Sequence, residues 1–279
     1  MVVTAAFVSD KGLPVYQELA DYLAGKLGHG VDVVSGVSYS EANRLLGQGV
    51  IDIGFVCGLP YTHQHAEGKV RLLAVPVMAM GQSTFADVPG YRNMPGKYYS
   101  YTIVHKDAAL DSWADLKGRS YAYNDQTSNS GYNVPRYKLL QLGANSWEDY
   151  FSEIAVSSSH EESIRLVARG VIDASSVNSL VLDYDRHIGD PDALNVKVIE
   201  VMLPGGMGIP PVVVNTKVSQ QTVDRLQQAL LNMHQDPAGR RILDRALIRR
   251  FAEPDDADYD GIRHMEQAAQ DAGFRDHRP

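Results

Sequence analysis

Small hydrogen-bonding residues fill one stretch between a predicted strand and a predicted helix. Residues 125–131 read Asp-Gln-Thr-Ser-Asn-Ser-Gly. The first turn of a helix leaves backbone N–H groups without partners and carries the positive end of the helix dipole, so it binds anions without a charged side chain. Ser and Asn add hydrogen-bond donors, and Gly131 allows a ligand close to the backbone. The stretch predicts an anion site, with an ordinary helix cap as the alternative.

Tyrosine and histidine supply the other candidate side chains. The chain has 15 tyrosines, and Tyr39, Tyr61 and the cluster at 98–101 lie at or near predicted loop ends. A tyrosine hydroxyl can hydrogen-bond an oxyanion while the ring excludes water. We expect most of the other tyrosines in the core or at the surface. His160 begins a predicted helix, where it either donates to an anion or occupies an ordinary capping-box position.

Metal and enzyme sites are not predicted. His63 and His65 are two residues apart, which points their rings to different faces of a helix. The sequence has no His-Glu-x-x-His, Cys-x-x-Cys, Gly-x-Ser-x-Gly or phosphate-loop motif. Cys57 is the single cysteine, so an intramolecular disulfide is excluded. We therefore expect no metal, no cofactor and no enzymatic activity.

The net charge and the lengths of the apolar runs indicate whether the chain binds nucleic acid or spans a membrane. Lys and Arg number 26 against 34 Asp and Glu, which gives a net charge of −8. This balance argues against a nucleic-acid partner, because phosphate backbones attract basic surfaces. The apolar stretches are shorter than the roughly 20 residues that a membrane-spanning helix needs. We expect neither nucleic-acid binding nor a membrane span.

Strand-like apolar runs alternate with helix-like runs along the chain. The predicted strands are 2–8, 31–34, 51–56, 72–78, 120–124, 153–157, 171–177, 196–201 and 211–214. The predicted helices are 14–27, 40–46, 129–142 and 159–169, followed by a mostly helical tail over 219–273. Such alternation is typical of an α/β protein with a parallel sheet covered by helices on both faces.

A repeat divides this pattern into two copies. Residues 38–52 and 159–173 share the pattern Ser-x-x-Glu-x-x-Arg-Leu-x-x-x-Gly-Val-Ile-Asp, and further matches occur at the same offset. The repeat predicts two similar lobes. Ligands of open α/β sheets bind beyond the carboxyl ends of the strands, so the strand-to-helix loops of both lobes are expected to line one cleft. Those loops contain Ser9, Tyr39, Tyr61, residues 125–130, His160 and Asn178.

The stretch over 128–137 carries a family resemblance. It reads Ser-Asn-Ser-Gly-Tyr-Asn-Val-Pro-Arg-Tyr and resembles the Ser-Thr-Ser-Gly-Tyr-x-Val-Pro-Arg-Tyr stretch of phosphonate/phosphite-type substrate-binding proteins of ABC transporters. Segments 49–52, 98–107 and 115–118 also fit that pattern. The resemblance implies a type II periplasmic-binding fold, with two similar α/β lobes joined by crossover hinge segments. Lobe one is expected at 1–95 plus 205–279, and lobe two at 96–204.

The resemblance also implies roles for individual residues. It places Ser128, Asn129 and Ser130 on the phosphonate oxygens, and Asn129 keeps a donor where the family usually has Thr. Family members that bind aminoalkylphosphonates carry a Glu after the segment that matches 172–174, whereas this chain has no acid over 175–180 and Leu180 lies near the expected Glu, so a ligand without an amine fits better. The full set of predicted ligand-binding residues is Ser9, Tyr39, Tyr61, Tyr98, Ser128, Asn129, Ser130, His160 and Asn178.

The sequence thus predicts an extracytoplasmic solute-binding protein that captures a small phosphonate-like anion in an interlobe cleft for import by an ABC permease. The alternatives are a ligand-sensing module, an enzyme on the same fold, or a binder of another ligand such as a sulfonate or a thiamin precursor. The residues after Met1 form a strand-like run without a signal-peptide pattern. The expected location is periplasmic, with the export signal outside this chain, and the cytoplasm is the alternative.

Overall fold

The computed structural model describes residues 1–3, 10–35, 37, 39–79 and 96–277. Its strands are β1 Val2–Val3, β2 Ile53–Phe55, β3 Val70–Met78, β4 Lys97–His105, β5 Ser120–Tyr123, β6 Glu153–Val156, β7 Ala174–Asn178, β8 Val196–Gly208, β9 Val212–Asn215 and β10 Ile248–Ala252. Its α-helices are α1 Leu13–Leu27, α2 Tyr39–Gln48, α3 Gly58–Ala66, α4 Val134–Gln141, α5 His160–Ala168, α6 Ser179–His187, α7 Pro191–Leu194, α8 Gln220–Asn232, α9 Pro237–Arg245 and α10 Asp260–Asp271.

Two compact units make up the described chain. The first contains the described residues up to 79, then 96–97 and 208–259, and the second contains 98–207 and 260–277. The sequence prediction placed all of 205–279 in lobe one, and here the structure differs. Residues 260–277 belong to the second unit, where the backbone N–H of Arg275 donates to the Asn145 carbonyl at 2.8 Å and Phe274 packs edge-on against Trp147.

The first unit is built on a five-stranded sheet in the order β1-β2-β9-β3-β10. β1 pairs parallel to β2, whereas β9 runs antiparallel to both β2 and β3, and β10 antiparallel to β3. The predicted strand over 31–34 is reduced to a single bridge between Val34 and Val2. The sheet is therefore mixed rather than parallel. Both antiparallel strands come from the later part of the chain: β9 inserts between β2 and β3, and β10 pairs with the other edge of β3.

The second unit has a five-stranded sheet in the order β6-β5-β7-β4-β8. β5 is parallel to β6 and β7, and β4 is antiparallel to β7. The tyrosines at 98, 99 and 101, predicted at or near loop ends, lie in the first half of β4, which begins at Lys97, and they are buried. Alternate residues of β4 reach opposite faces of the sheet, and Tyr99, Tyr101 and Ile103 join the apolar core formed with α5 and α6.

The two sequence copies form the same local structure. In each copy a helix carries an Arg–Glu ion pair three residues apart, Arg44 with Glu41 and Arg165 with Glu162. Each helix is followed by a glycine with a left-handed backbone, Gly49 in one copy and its counterpart Gly170 in the other. The chain then enters β2 or β7. Within the described ranges, none of the helices is long and apolar enough to cross a membrane.

Candidate functional site

The stretch singled out by its composition joins β5 to α4 in the second unit. The chain leaves β5 at Tyr123 and then forms a π-type turn over Asn129–Asn133 before α4 begins. The Ser128 hydroxyl accepts a hydrogen bond from the Gly131 N–H at 3.1 Å, and the Ser128 carbonyl accepts from the Asn133 N–H at 3.0 Å. Sequence analysis predicted one regular helix over 129–142. The structure has a wider first turn, a feature that recurs at functional sites.

Three neighbouring polar residues of this turn are completely buried. Ser128, Asn129 and Ser130 each have 0% of their surface exposed. The Asn129 side-chain N–H₂ donates to the Tyr98 hydroxyl at 2.9 Å. The Ser130 hydroxyl has no hydrogen-bond partner among the described residues. A buried polar group without a partner costs about 1–3 kcal/mol, so the unpaired Ser130 hydroxyl is a candidate position for a ligand oxygen.

Gly131 is required by the packing of the turn. A Cβ atom at this position would lie 1.8 Å from Oδ1 of Asn124, far inside contact distance. Asn124 is itself fully buried at the end of β5. The turn therefore packs so closely against the Asn124 side chain that any residue larger than glycine at 131 would have to displace this amide.

His160 lies on the other side of Asn124. Its Nδ1 accepts a hydrogen bond from the Asn178 backbone N–H at 3.3 Å, and its Nε2 is 3.4 Å from the Asn124 side-chain amide. Burial lowers the pKa of His160 to about 3, so the ring is neutral at physiological pH. Both ring nitrogens are therefore in contact with protein groups, Nδ1 with the Asn178 N–H and Nε2 with the Asn124 side-chain nitrogen. His160 is thus an uncharged ring held between Asn124 and Asn178.

Helix caps hold this arrangement. The Ser159 hydroxyl accepts from the Glu162 N–H at 3.1 Å and begins α5, as the Ser-x-x-Glu spacing predicts. The Asn178 side chain accepts from the Leu180 N–H at 2.9 Å and begins α6. Asn178 therefore caps one helix and orients His160 through its backbone.

The predicted ligand-binding residues separate by unit. The structure brings together Tyr98, Ser128, Asn129, Ser130, His160 and Asn178 in the second unit through the contacts above. Tyr39 and Tyr61 belong to the first unit, where the Tyr61 hydroxyl donates to Asp256 at 2.5 Å and its ring packs against Tyr259. Ser9 lies outside the described residues, as does most of the predicted strand over 2–8.

Sequence reasoning missed four residues that touch the site. Asn124 links the turn to His160, and the Met207 sulfur lies 2.8 Å from the Asn129 side-chain nitrogen. Asn133 and Arg136 form hydrogen bonds behind the turn. Arg136 stands within the Val-Pro-Arg-Tyr part of the motif at 128–137, which was the available signal. Met207 lies near the end of β8, and no motif in the sequence singles it out.

The polar groups of this site are neutral donors. His160 is uncharged, and the Arg136 guanidinium is engaged by Asn133 and Asp276. Within the ranges that the structure describes, no group of His, Cys, Asp and Glu side chains could hold a metal ion. A site of hydroxyl and amide N–H groups at a helix start is suited to an oxyanion.

Comparisons with known proteins agree with this chemistry. A family model described as "ABC transporter, phosphonate, periplasmic substrate-binding protein" matches residues 1–259. The phosphonates-binding periplasmic protein of Escherichia coli K12 is 27% identical over 184 residues, which cover 64% of this chain and 52% of that protein. A probable phosphite-binding protein of Prochlorococcus marinus is 28% identical over 111 residues, 38% of this chain and 37% of that protein. The matches thus span about half or less of these curated relatives.

Solved structures share the fold. The binding-protein component of a phosphonate ABC transporter from Pseudomonas aeruginosa superposes with a TM-score of 0.84 at 19% identity, over 97% of this chain and 86% of that chain. The Prochlorococcus marinus protein PhnD1 in complex with methylphosphonate gives 0.80 at 18% identity, over 96% and 97%. At these identities the likeness establishes the type II periplasmic-binding fold. The chain belongs to the periplasmic substrate-binding protein family of phosphonate ABC transporters.

Proposed function

We propose that this chain binds a small phosphonate-class oxyanion through the turn at 128–130 and presents it to the permease of an ABC importer in the periplasm. The observation that carries the proposal is the Ser130 hydroxyl, fully buried and without a partner among the described residues, beside the buried Asn129 amide. Family membership supports the transport role, and the methylphosphonate complex of a protein with the same fold supports the ligand class.

The ligand's acidic group is matched by dipoles rather than by a counter-ion. Ser130 and Asn129 supply donors, the neutral His160 adds no charge, and the helix start adds its dipole. Fixed dipoles of this kind hold an oxyanion without the desolvation cost of burying a formal cation. The same donors suit phosphite, alkylphosphonates and, less well, sulfonates.

The organic group of the ligand is expected to lack an amine. Leu180 is the second residue of α6, is buried, and cannot pair with an ammonium group. An unpaired buried ammonium is strongly disfavoured. We therefore propose simple alkylphosphonates or phosphite as substrates in preference to aminoalkylphosphonates.

Calorimetry on matched ligands tests this function. Methylphosphonate, phosphite, phosphate, methanesulfonate and aminoethylphosphonate are titrated into the wild-type protein and into Ser130→Ala. We expect tight binding of methylphosphonate or phosphite, and a loss of about tenfold in Ser130→Ala. Stability of the ligand-free variant should stay the same or rise, because an unpaired buried hydroxyl is removed.

Ser152→Ala provides the matched control, since this exposed serine precedes β6 and lies outside the turn. It should change neither affinity nor stability. Equal affinity of wild type and Ser130→Ala for every oxyanion would contradict the proposed site. A preference of a hundredfold or more for aminoethylphosphonate would contradict the proposed substrate class, and binding of methanesulfonate alone would reassign the ligand.

A further inference from the structure

A continuous run of side chains leads from the C-terminal segment to the buried anion-binding turn. The Asp276 carboxylate accepts from the Arg136 guanidinium at 3.3 Å, and the other Arg136 amino group donates to Asn133 Oδ1 at 3.0 Å. Asn133 Nδ2 then donates to Asn129 Oδ1 at 3.2 Å. Asn129 Nδ2 in turn donates to the Tyr98 hydroxyl at 2.9 Å. All of these residues lie in the second unit.

The donor and acceptor of every hydrogen bond in this series are determined by Arg136. A guanidinium has only donors, so the Asn133 atom that it meets must be the amide oxygen. The Asn133 nitrogen must then point the other way, where it donates to Asn129 Oδ1 and also to the Ile262 carbonyl at 3.2 Å. Asn129 therefore turns its oxygen toward Asn133 and its nitrogen toward Tyr98. An asparagine alone has no such preference, because its two ends are nearly equal in shape.

We propose that Arg136, held by Asp276, is a positioning residue that fixes the Asn129 side-chain amide, so that its N–H₂, which faces Tyr98 and Met207, and not its oxygen is the end offered to a bound anion. The inference rests on the proposed function of the turn, since it explains how an asparagine can replace a hydroxyl residue there. The reversed amide would present oxygen to the anion and repel it. The Arg136–Asp276 ion pair is partly exposed, whereas Asn129 has no exposed surface. The hydrogen bond between the Asn133 and Asn129 amides links the two, so that the ion pair fixes the orientation of the buried amide.

Two other contacts support the run. The Tyr132 hydroxyl also donates to Asp276, at 2.6 Å, so the turn itself helps to place this carboxylate. The Met207 sulfur accepts but cannot donate, and it lies 2.8 Å from the Asn129 nitrogen. Met207 therefore favours the same orientation, which limits the expected effect of losing Arg136 to a moderate one.

A double-mutant cycle tests the proposal. Arg136→Met keeps the apolar stem and removes the donors. It should weaken methylphosphonate binding about tenfold in the wild-type background, but less than twofold in an Asn129→Thr background. A threonine hydroxyl rotates and can donate whichever way Asn133 faces. A merely structural role for Arg136 predicts the same loss in both backgrounds, and that result would overturn the proposal.

Asp276→Asn gives a milder second variant if Arg136→Met folds poorly. It keeps a partner for Tyr132 and weakens the hold on Arg136, so it should reproduce the same background dependence with a smaller loss. Lys138→Met, on the same helix but paired with Glu200, is the matched control and should leave affinity unchanged.

A ligand-free measurement separates this proposal from the proposed function. The Asn129 side-chain amide is assigned in nitrogen-15 spectra by its disappearance in Asn129→Thr. In the wild type we expect a nuclear Overhauser effect between this amide and the Tyr98 ring. In Arg136→Met we expect this signal to be lost, or the amide resonance to split into two because both orientations of the side chain are populated. An unchanged contact in Arg136→Met would overturn the positioning role. If the wild type binds no oxyanion, the proposed function fails while this readout still decides the orientation.

Discussion

At the scale of single residues, the proposed site consists of buried, neutral hydrogen-bond donors, so an added negative charge should strongly reduce the affinity for an anion. Asn129→Asp puts a carboxylate oxygen in place of an N–H donor. Two unit charges at 4 Å repel by about 4 kcal/mol at an effective dielectric of 20, which corresponds to roughly a thousandfold lower affinity. Titration calorimetry with methylphosphonate measures the loss.

The effect of this change on stability follows from burial. An acidic group in the first turn of a helix is favourable by about 0.3–1 kcal/mol, which is what the sequence alone suggests. Asn129 is fully buried beside Tyr98 and Met207, so the desolvation cost dominates and stability should fall. Gln221→Glu, exposed in the first turn of α8, is the control and should keep both affinity and stability. Wild-type affinity in Asn129→Asp would exclude the turn as the anion site.

His160 gives a prediction about pH. Its pKa falls from about 6.5 in the unfolded chain to about 3 in the folded protein because of burial. A basic group whose pKa is lowered by folding contributes stability that is complete above pH 6.5 and is lost as the pH falls toward 3. His160→Gln should remove this loss, which amounts to about 1–2 kcal/mol between pH 6.5 and 5. Denaturant unfolding at several pH values measures the difference.

The comparison must be made between variants, because another buried group acts in the opposite direction. Burial raises the pKa of Asp183 to about 7, so its contribution to stability is complete below pH 3.8 and is lost as the pH rises through 7. The wild-type profile is the sum of both. Parallel pH profiles for wild type and His160→Gln would show that His160 is not held neutral by the fold.

At the scale of elements, the close approach of the β5 loop to the π-type turn sets the geometry of the site. Gly131→Ala would place a Cβ atom 1.8 Å from Asn124 Oδ1 and displace the amide that contacts His160. Overpacking of this kind costs about 1–3 kcal/mol. We expect a lower melting temperature together with weaker ligand binding, measured by thermal unfolding with and without methylphosphonate.

Gly25→Ala is the matched control. Gly25 lies within α1, and a Cβ atom there would have no neighbour within 4 Å. Alanine has the higher helix propensity, so this variant should gain about 0.5–1 kcal/mol and keep its affinity. If Gly131→Ala is as well tolerated as Gly25→Ala, the turn does not need its close contact with Asn124.

At the scale of the whole molecule, the candidate residues come from both units while the described chain passes between the units at 97–98, 207–208 and 259–260. The sequence predicted closure of two lobes on the ligand, and this stays a prediction. If Tyr39 or Tyr61 of the first unit contributes to binding, saturating methylphosphonate should lower the radius of gyration through a hinge motion. Small-angle X-ray scattering measures it.

Ser130→Ala at the same ligand concentration is the control for that measurement, because weakened binding should reduce the compaction. A radius of gyration that stays constant at saturation would contradict closure. It would leave the turn at 128–130 as a site that the second unit forms by itself.

Local features of this protein could be predicted from its sequence. The Ser159 cap, the end of α1 at Gly28 and the polar stretch before α4 depend on neighbours a few residues away, so short motifs predict them. The repeat predicted two α/β units for the same reason, since each copy has its own apolar periodicity. The motif at 128–137 identified the family before any geometry was known.

Long-range contacts were decided only by the tertiary structure. Tyr98 was expected near a loop end and is the second residue of β4, but only the fold brings its hydroxyl to Asn129. Asp276 meets Arg136 across 140 residues of sequence, and no local pattern indicates which acid an arginine will meet. Residues 260–277 join the second unit for the same reason. Apolar periodicity specifies that a helix has a buried face, whereas the surface that covers this face is selected by packing among all the elements at once.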